Sequence, residues 1–236
     1  MAEQLLKFAD GEIITYSLER RQRRTVGLKI TQNGLVIHAP RRISQSQLDD
    51  IILHKADWIR KKLASLHQHK IPAMQWQDSE QLLLLGSPIT LALEHNARSK
   101  AVEYTTGVLQ LAMPNIEDQT AVSHKVIQWY KKQALADFSR RLEIFSAKLG
   151  VSFKSLTLSN AKSRWGSCNS RKEIRLNWRL LQAPPHIINY VVCHELAHLK
   201  EMNHSAKFWA TVANIYPDYK QAEKELKAWS PKLHAI

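Results

Sequence analysis

The 236-residue chain is 44% apolar and 23% charged and has two cysteines, Cys168 and Cys193, so it can build a packed core without a disulfide framework. No stretch approaches 18 apolar residues and Met1-Ala2-Glu3-Gln4-Leu5-Leu6-Lys7 is no signal-length apolar run; a membrane span is excluded and a cytoplasmic location is expected. The net charge of +13 is uneven, with 15 Lys+Arg against 13 Asp+Glu in residues 1–118 and 19 against 8 in residues 119–236. The second half therefore carries a field that attracts anionic partners such as nucleic acid, nucleotides or acidic polypeptides.

The first hundred residues read as strands interrupted by one helix. Clustered β-branched residues predict strands at 13–16 and 25–30, and Asn33-Gly34 marks a tight hairpin with its return strand at 35–40. Ser44 and Gln47 form a capping-box signature. Leu48, Ile51, Ile52, Lys55, Trp58, Ile59 and Leu63 then follow at helical spacing. A second hairpin is expected at 82–85 and 89–93, joined by Gly86-Ser87-Pro88, and two short strands at 104–113 turning at Gly107. The polar, proline-bearing segment 114–120 is the expected boundary between a β-rich module, 1–118, and a second domain, 119–236. No internal repeat is evident.

The second domain opens on a long helix, expected at about 121–149 and stopped by Gly150. Its apolar stripe is Val122, Val126, Trp129, Tyr130, Leu135, Phe138, Leu142, Phe145 and Leu149. Strands at 155–158 and 174–178 flank the segment Arg164-Trp165-Gly166-Ser167-Cys168. Pro184-Pro185 open the next helix, which runs through Ile187, Ile188, Val191 and Val192 to His198; proline suits a first helical turn, where its missing N–H would be unpaired anyway. Two further helices, 205–215 and 219–229, complete the chain.

That helix carries His194-Glu195-Leu196-Ala197-His198. Residues four apart share a helix face, so the two imidazoles can hold one metal ion while Glu195, about 100° round the helix, handles a water. With 11 His and 13 Glu in the chain, shuffling the composition gives this pattern roughly 0.03 times, which makes chance a poor explanation. His204 follows ten residues after His194. On a straight helix it would lie about 15 Å along the axis, out of reach; to join the site the helix must end soon after His198 and the chain must turn back. Met202-Asn203 is the expected turn, since asparagine tolerates left-handed backbone, and Ser205 the expected cap of the next helix. Glu201 stands where the extended motif H-E-x-x-H-x-x-G-x-x-H has its glycine. Glu201, Glu223 and Glu225 are rival third ligands, although Lys200, Lys220, Lys224 and Lys227 among them suggest surface ion pairs. His204 is favoured.

The segments 164–168, 174–178 (Ile-Arg-Leu-Asn-Trp) and 190–198, with Asn203-His204-Ser205 and Phe208-Trp209, resemble the YgjP-like metal-dependent hydrolase family, related to SprT-like and WLM-type zinc peptidases. Arg20-Arg21-Gln22-Arg23-Arg24, Pro40 and Trp58-Ile59 resemble the family's N-terminal half. The resemblance implies zinc ligands at His194, His198 and His204, Glu195 as catalytic acid and base, and an α+β fold: the β-rich module followed by a compact zincin-like peptidase domain with a small sheet beside the motif helix and C-terminal helices.

One Zn²⁺ per chain, or another divalent ion, would present an open position to water. Glu195 would take the proton and return it to the leaving group. Tyr190, one turn before His194, and Arg164 are candidates to stabilise the developing oxyanion. The leading expectation is a zinc metallopeptidase acting on a polypeptide or other anionic substrate. The alternatives are a metal-dependent phosphoanhydride hydrolase acting on a nucleotide, and a basic nucleic-acid-associated module with a structural metal.

Overall fold

A computed structural model describes residues 2–8, 10–31, 34–68, 74–97 and 102–236. Asn33 of the expected hairpin lies outside them. The chain forms two compact units, Met1–Lys70 and Ile71–Ile236.

In the first unit β1 (Ala2–Lys7), β2 (Ile13–Arg21), β3 (Gly27–Thr31) and β4 (Gly34–Pro40) form a sheet in the order β1-β2-β4-β3. β4 returns antiparallel from β3, with Thr31 opposite Gly34, and fits between β3 and β2, so it runs parallel to β2. Alternation along the strands buries Ile14, Tyr16, Leu35, Ile37 and Ala39 on one face, against Leu48, Ile52 and Ile59 of two helices. The single helix expected from the periodicity is two, α1 (Gln45–His54) and α2 (Ala56–Gln68). They divide at Lys55, whose N–H turns back to Ile52 and Leu53 carbonyls. The capping box forms as read: Ser44 accepts from the Gln47 N–H and the Gln47 side chain from the Ser44 N–H. Trp58, on the expected apolar face, is exposed.

The second unit begins with β5 (Gln81–Leu84), β6 (Ser87–His95), β7 (Val102–Thr105) and β8 (Val108–Met113), in the order β5-β6-β8-β7. The parallel pair is again second with fourth strand, β6 with β8. The connectivity of the first sheet thus recurs, a repeat of topology that residue identities do not reveal. Leu85-Gly86 and Thr106-Gly107 join the hairpins with positive φ at both residues, the turn whose twist matches that of its strands.

This sheet shares a core with everything C-terminal to it, so the expected boundary at 114–120 falls inside a unit. Leu82, Leu91, Leu109 and Leu111 pack in one cluster with α3 (Gln119–Leu149), the Tyr130 hydroxyl donates to the Leu83 carbonyl at 2.7 Å, and the Leu85 and Gly86 N–H groups donate to Leu181 and Gln182 carbonyls. A polar, proline-bearing link signals a loop; it does not say whether the elements on either side bury their apolar faces together.

α3 is capped by Asp118, whose side chain accepts from the Ala121 N–H, and ends at Gly150 in the left-handed region. Val122, Val126, Tyr130, Ala134, Phe138 and Leu142 make its buried face, while Leu135 of the expected stripe is exposed. Next come β9 (Ser155–Ser159), β10 (Gly166–Cys168) and β11 (Glu173–Asn177), a sheet ordered β10-β11-β9, then a 3₁₀ turn over Trp178–Gln182 and helices α4 (Pro185–Ala197), α5 (Ala206–Ile215) and α6 (Tyr219–Leu233). No described helix is long and apolar enough to cross a membrane.

Arg141 of α3 positions α4. Its buried guanidinium meets Asp137 at 2.5 Å, the Asn189 side-chain oxygen, and the Pro185 carbonyl at 3.3 Å. Asp137→Ala strands a buried cation and is expected to cost about 3 kcal/mol or more, read as a lower urea midpoint at unchanged m-value.

Candidate metal centre

α4 is the central helix of its unit. Ile187, Ile188, Val191, Val192, Leu196 and Ala197 are all buried, so the helix is apolar nearly all round and its orientation is fixed by packing on every side. That rigid element carries Tyr190, His194, Glu195 and His198. Pro185 sits at N1, as expected.

The helix ends as His204 requires. Its last residue is Ala197, and the Lys200 and Glu201 N–H groups both return to the Ala197 carbonyl. The chain then reverses and Ser205 caps α5, its side chain accepting from the Phe208 N–H. The reversal uses no left-handed residue: among the described residues none between Lys172 and the C-terminus has positive φ. Asn203 therefore does not supply the backbone angle expected of it. The turn closes through hydrogen bonds to the end of α4 instead, which is how glutamate can occupy position 201.

The reversal brings His204 back to the helix. Its Nε2 lies 3.1 Å from Nε2 of His194, and one ring nitrogen from each of His194, His198 and His204 falls within 4.8 Å of the others. Phe208 underlies all three imidazoles, its ring centroid 4.9, 4.6 and 4.7 Å from those of His194, His198 and His204. His198 Nδ1 lies 3.1 Å from the Glu201 carbonyl; donation there fixes the ring and leaves Nε2 as the lone-pair donor. Glu201 thus enters through its backbone, and Glu223 and Glu225 are engaged with Lys227 and His186.

The protein groups alone leave this centre unsatisfied. Nδ1 of His194 and Oε2 of Glu195 are buried with no hydrogen-bond partner among the described residues. Burial, with the neighbouring imidazoles adding, pulls His194 down to about 4, so its ring is neutral at pH 7, and burial lowers His198 too. Burial pushes the Glu195 carboxyl up to about 8, against an opposing pull from Arg164. Three converging imidazoles beside a buried carboxyl with an unpartnered oxygen fit a divalent cation, whose charge would reverse the penalty on Glu195.

Glu195 is pinned from the other side by Gly166, on the edge strand β10. A Cβ at Gly166 would lie 2.4 Å from Oε1 and 2.7 Å from Cγ and Cδ of Glu195. Nothing in the local sequence marks this glycine as a neighbour of Glu195. Phe208 likewise has a place that its residue type alone does not announce; its position one turn into the helix that follows His204 is the local signal. Trp165 stacks on His234 at 4.5 Å, and its carbonyl accepts from the Asn177 N–H at 2.8 Å, so Gly166 is held on both sides.

Arg164 is exposed, two residues before Gly166, and acts electrostatically on Glu195. Tyr190 is buried, edge-on to His194 at 6.0 Å; burial raises its hydroxyl well above the usual range, with Glu223 and Glu195 contributing. Cys193 is a buried thiol raised to about 12 by burial, and Cys168, half-buried near Glu195, is raised to about 11. Neither belongs to the histidine cluster.

Fold and site together define a protein with a candidate three-histidine metal centre beside a buried carboxyl. The family described as "YgjP-like, metallopeptidase domain" matches residues 24–229, and the chain belongs to it. Over 92 residues the chain is 33% identical to the UTP pyrophosphatase of Escherichia coli (strain K12), a match covering 38% of this chain and 55% of that protein; the chain spans about half the length of that relative. Among solved structures it is similar to the metallopeptidase zymogens of Pyrococcus abyssi abylysin (25% identity, TM-score 0.37) and Methanocaldococcus jannaschii jannalysin (23% identity, TM-score 0.34), each over 39% of this chain and 92% of the other.

Proposed function

We propose that this chain is a zinc hydrolase in which Glu195 moves the proton of the attacking water. The observation that carries the reading is the pairing of three converging imidazoles with a buried carboxylate that has an unpartnered oxygen. Three nitrogen donors suit zinc, whose Lewis acidity lowers the pKa of a coordinated water toward 7 and polarises the bond under attack. His194, His198 and His204 would hold the ion. Glu195 accepts the water's proton and delivers it to the leaving group; Gly166 and the wall of α4 hold its carboxylate in place. Arg164 and Tyr190 are proposed to bind the charge that develops on the substrate.

For the bond, a phosphoanhydride of a nucleoside triphosphate is the favoured reading. The Escherichia coli relative is a UTP pyrophosphatase, and the half of the chain carrying the site has 19 Lys+Arg against 8 Asp+Glu, a field that draws in a polyphosphate. The family's description favours a second reading, hydrolysis of a peptide bond. The purified zinc-loaded chain, offered the nucleoside triphosphates and an unfolded protein in parallel, separates them. Release of nucleoside monophosphate with one equivalent of inorganic pyrophosphate, lost on chelation, is the expected result. Chelator-sensitive cleavage of the protein alone would transfer the assignment to the peptidase reading, and turnover of neither would overturn the zinc-hydrolase proposal.

A further inference from the structure

We infer that the uncovered face and adjoining end of the N-terminal sheet bind the sugar–phosphate backbone of a double-stranded nucleic acid. Parallel pairing sets Arg20 beside Ala39 and Arg21 beside Pro40. The run Arg20-Arg21-Gln22-Arg23-Arg24 at the end of β2 and the pair Arg41-Arg42 after β4 therefore emerge at one end of the sheet. Arg20 fastens them together, its Nη1 donating to the Arg41 carbonyl at 3.4 Å and the Ile43 carbonyl at 2.7 Å.

α1 and α2 pack on the face that carries Ile14, Tyr16, Leu35 and Ile37. The opposite face, by register, carries Glu19 beside His38, Gly27 opposite His38, and Lys29 opposite Val36. A Cβ at Gly27 would stand 3.0 Å from the Arg23 guanidinium, so Arg23 lies back across the sheet. Its Nε is buried with no acceptor among the described residues. The strand end and the β3–β4 half of the uncovered face thus form one cationic patch, while the β1–β2 half carries exposed Leu5 and Ile13 and lies outside it.

Its charge is not neutralised locally. Glu19 is paired with Arg21 and, at 3.3 Å, with His38; Asp10 and Glu12 are held by Arg60; Asp49 accepts from Gln45. Asp50 borders the shallow groove beside Arg24. Arg24, Lys29, Arg41 and Arg42 are exposed, and no described residue pairs with their side chains. Residues 1–70 carry 13 Lys+Arg against 7 Asp+Glu, whereas residues 71–118 carry 2 against 6; averaging the two stretches hides the excess.

A cationic strip running from a strand end across a sheet face suits a repeating anion better than a single phosphate, and arginine forks match phosphate oxygens. No Phe, Tyr or Trp stands among the described residues of that face, so there is no platform on which to stack unpaired bases. The ligand is a duplex, held through its backbone, independent of sequence and sensitive to salt.

The test is anisotropy of a labelled duplex of about 25 base pairs, titrated with the full-length chain over a range of KCl. Arg24→Gln/Arg41→Gln/Arg42→Gln is expected to weaken binding about tenfold or more at low salt and to reduce the salt slope by about 0.9 per lost phosphate contact. Lys132→Gln/Lys220→Gln/Lys224→Gln removes the same charge from exposed positions of the second unit and is expected to change affinity by less than about threefold. Circular dichroism of both variants should match wild type, since all six side chains are exposed and none makes a described hydrogen bond or salt bridge. Equal losses in the two variants, no loss in the arginine variant, or a wild-type chain that binds anionic phosphatidylserine vesicles but no duplex would overturn the inference.

Discussion

Glu195→Gln is expected to lower turnover by about 10³-fold or more while zinc binding stays within about threefold of wild type. The two side chains are nearly isosteric, so the amide fits the space between α4 and Gly166 that the carboxylate fills. What it loses is basicity: glutamine can neither accept the proton of the attacking water nor carry it to the leaving group. The three imidazoles that would hold the ion are untouched, and His198 keeps its ring fixed through the Glu201 carbonyl. The metal-free variant should melt close to wild type, because burial already holds the Glu195 carboxyl mostly protonated near neutral pH, and the amide replaces one neutral group with another of nearly the same shape. Zinc titration and a thermal melt read these two outcomes separately from activity. Loss of zinc together with activity would make Glu195 a ligand or a structural support, and retained activity would remove it from the mechanism.

The sequence carried the site further than it carried the fold. His194 and His198 need only helical periodicity, and the reversal needed by His204 follows from the 1.5 Å rise of a helix; both are local rules. The means of reversal was not legible, because an asparagine only permits left-handed backbone, while the hydrogen bonds that close this turn depend on how α4 ends. Gly166 is the sharper case. A glycine before a short strand is ordinary, and its role exists only because an edge strand passes within van der Waals distance of a carboxylate about thirty residues later. The same limit explains the domain boundary. Composition marks 114–120 as a link, but Leu82, Leu91, Leu109 and Leu111 bury against the elements beyond it, and contact between distant segments leaves no periodic signal. The recurring sheet topology escapes for a related reason: alternation and turn chemistry specify it, and many unrelated residues satisfy both.

Gly166→Ala should abolish most activity without removing the metal site. The added methyl would overlap Oε1, Cδ and Cγ of Glu195 at 2.4–2.7 Å, and neither neighbour can yield freely. β10 is held by pairing with β11 from Gly166 to Cys168, and Trp165 is fixed by its stack on His234 and its hydrogen bond from Asn177. α4 is packed on every side. The strain is expected to fall on the Glu195 side chain, the softest element, rotating its carboxylate off the line of the attacking water; a displacement of about 1 Å at a catalytic group can cost about 10²-fold. Stability should fall by about 1–3 kcal/mol, the usual cost of overpacking, and zinc should still bind, since no ligand moves with the carboxylate. A double variant decides whether Gly166 acts through Glu195. If it does, Gly166→Ala adds little to the loss already caused by Glu195→Gln, whereas independent effects would multiply. A multiplied loss would place the damage in β10 itself and would leave the close approach of strand and carboxylate without a catalytic purpose.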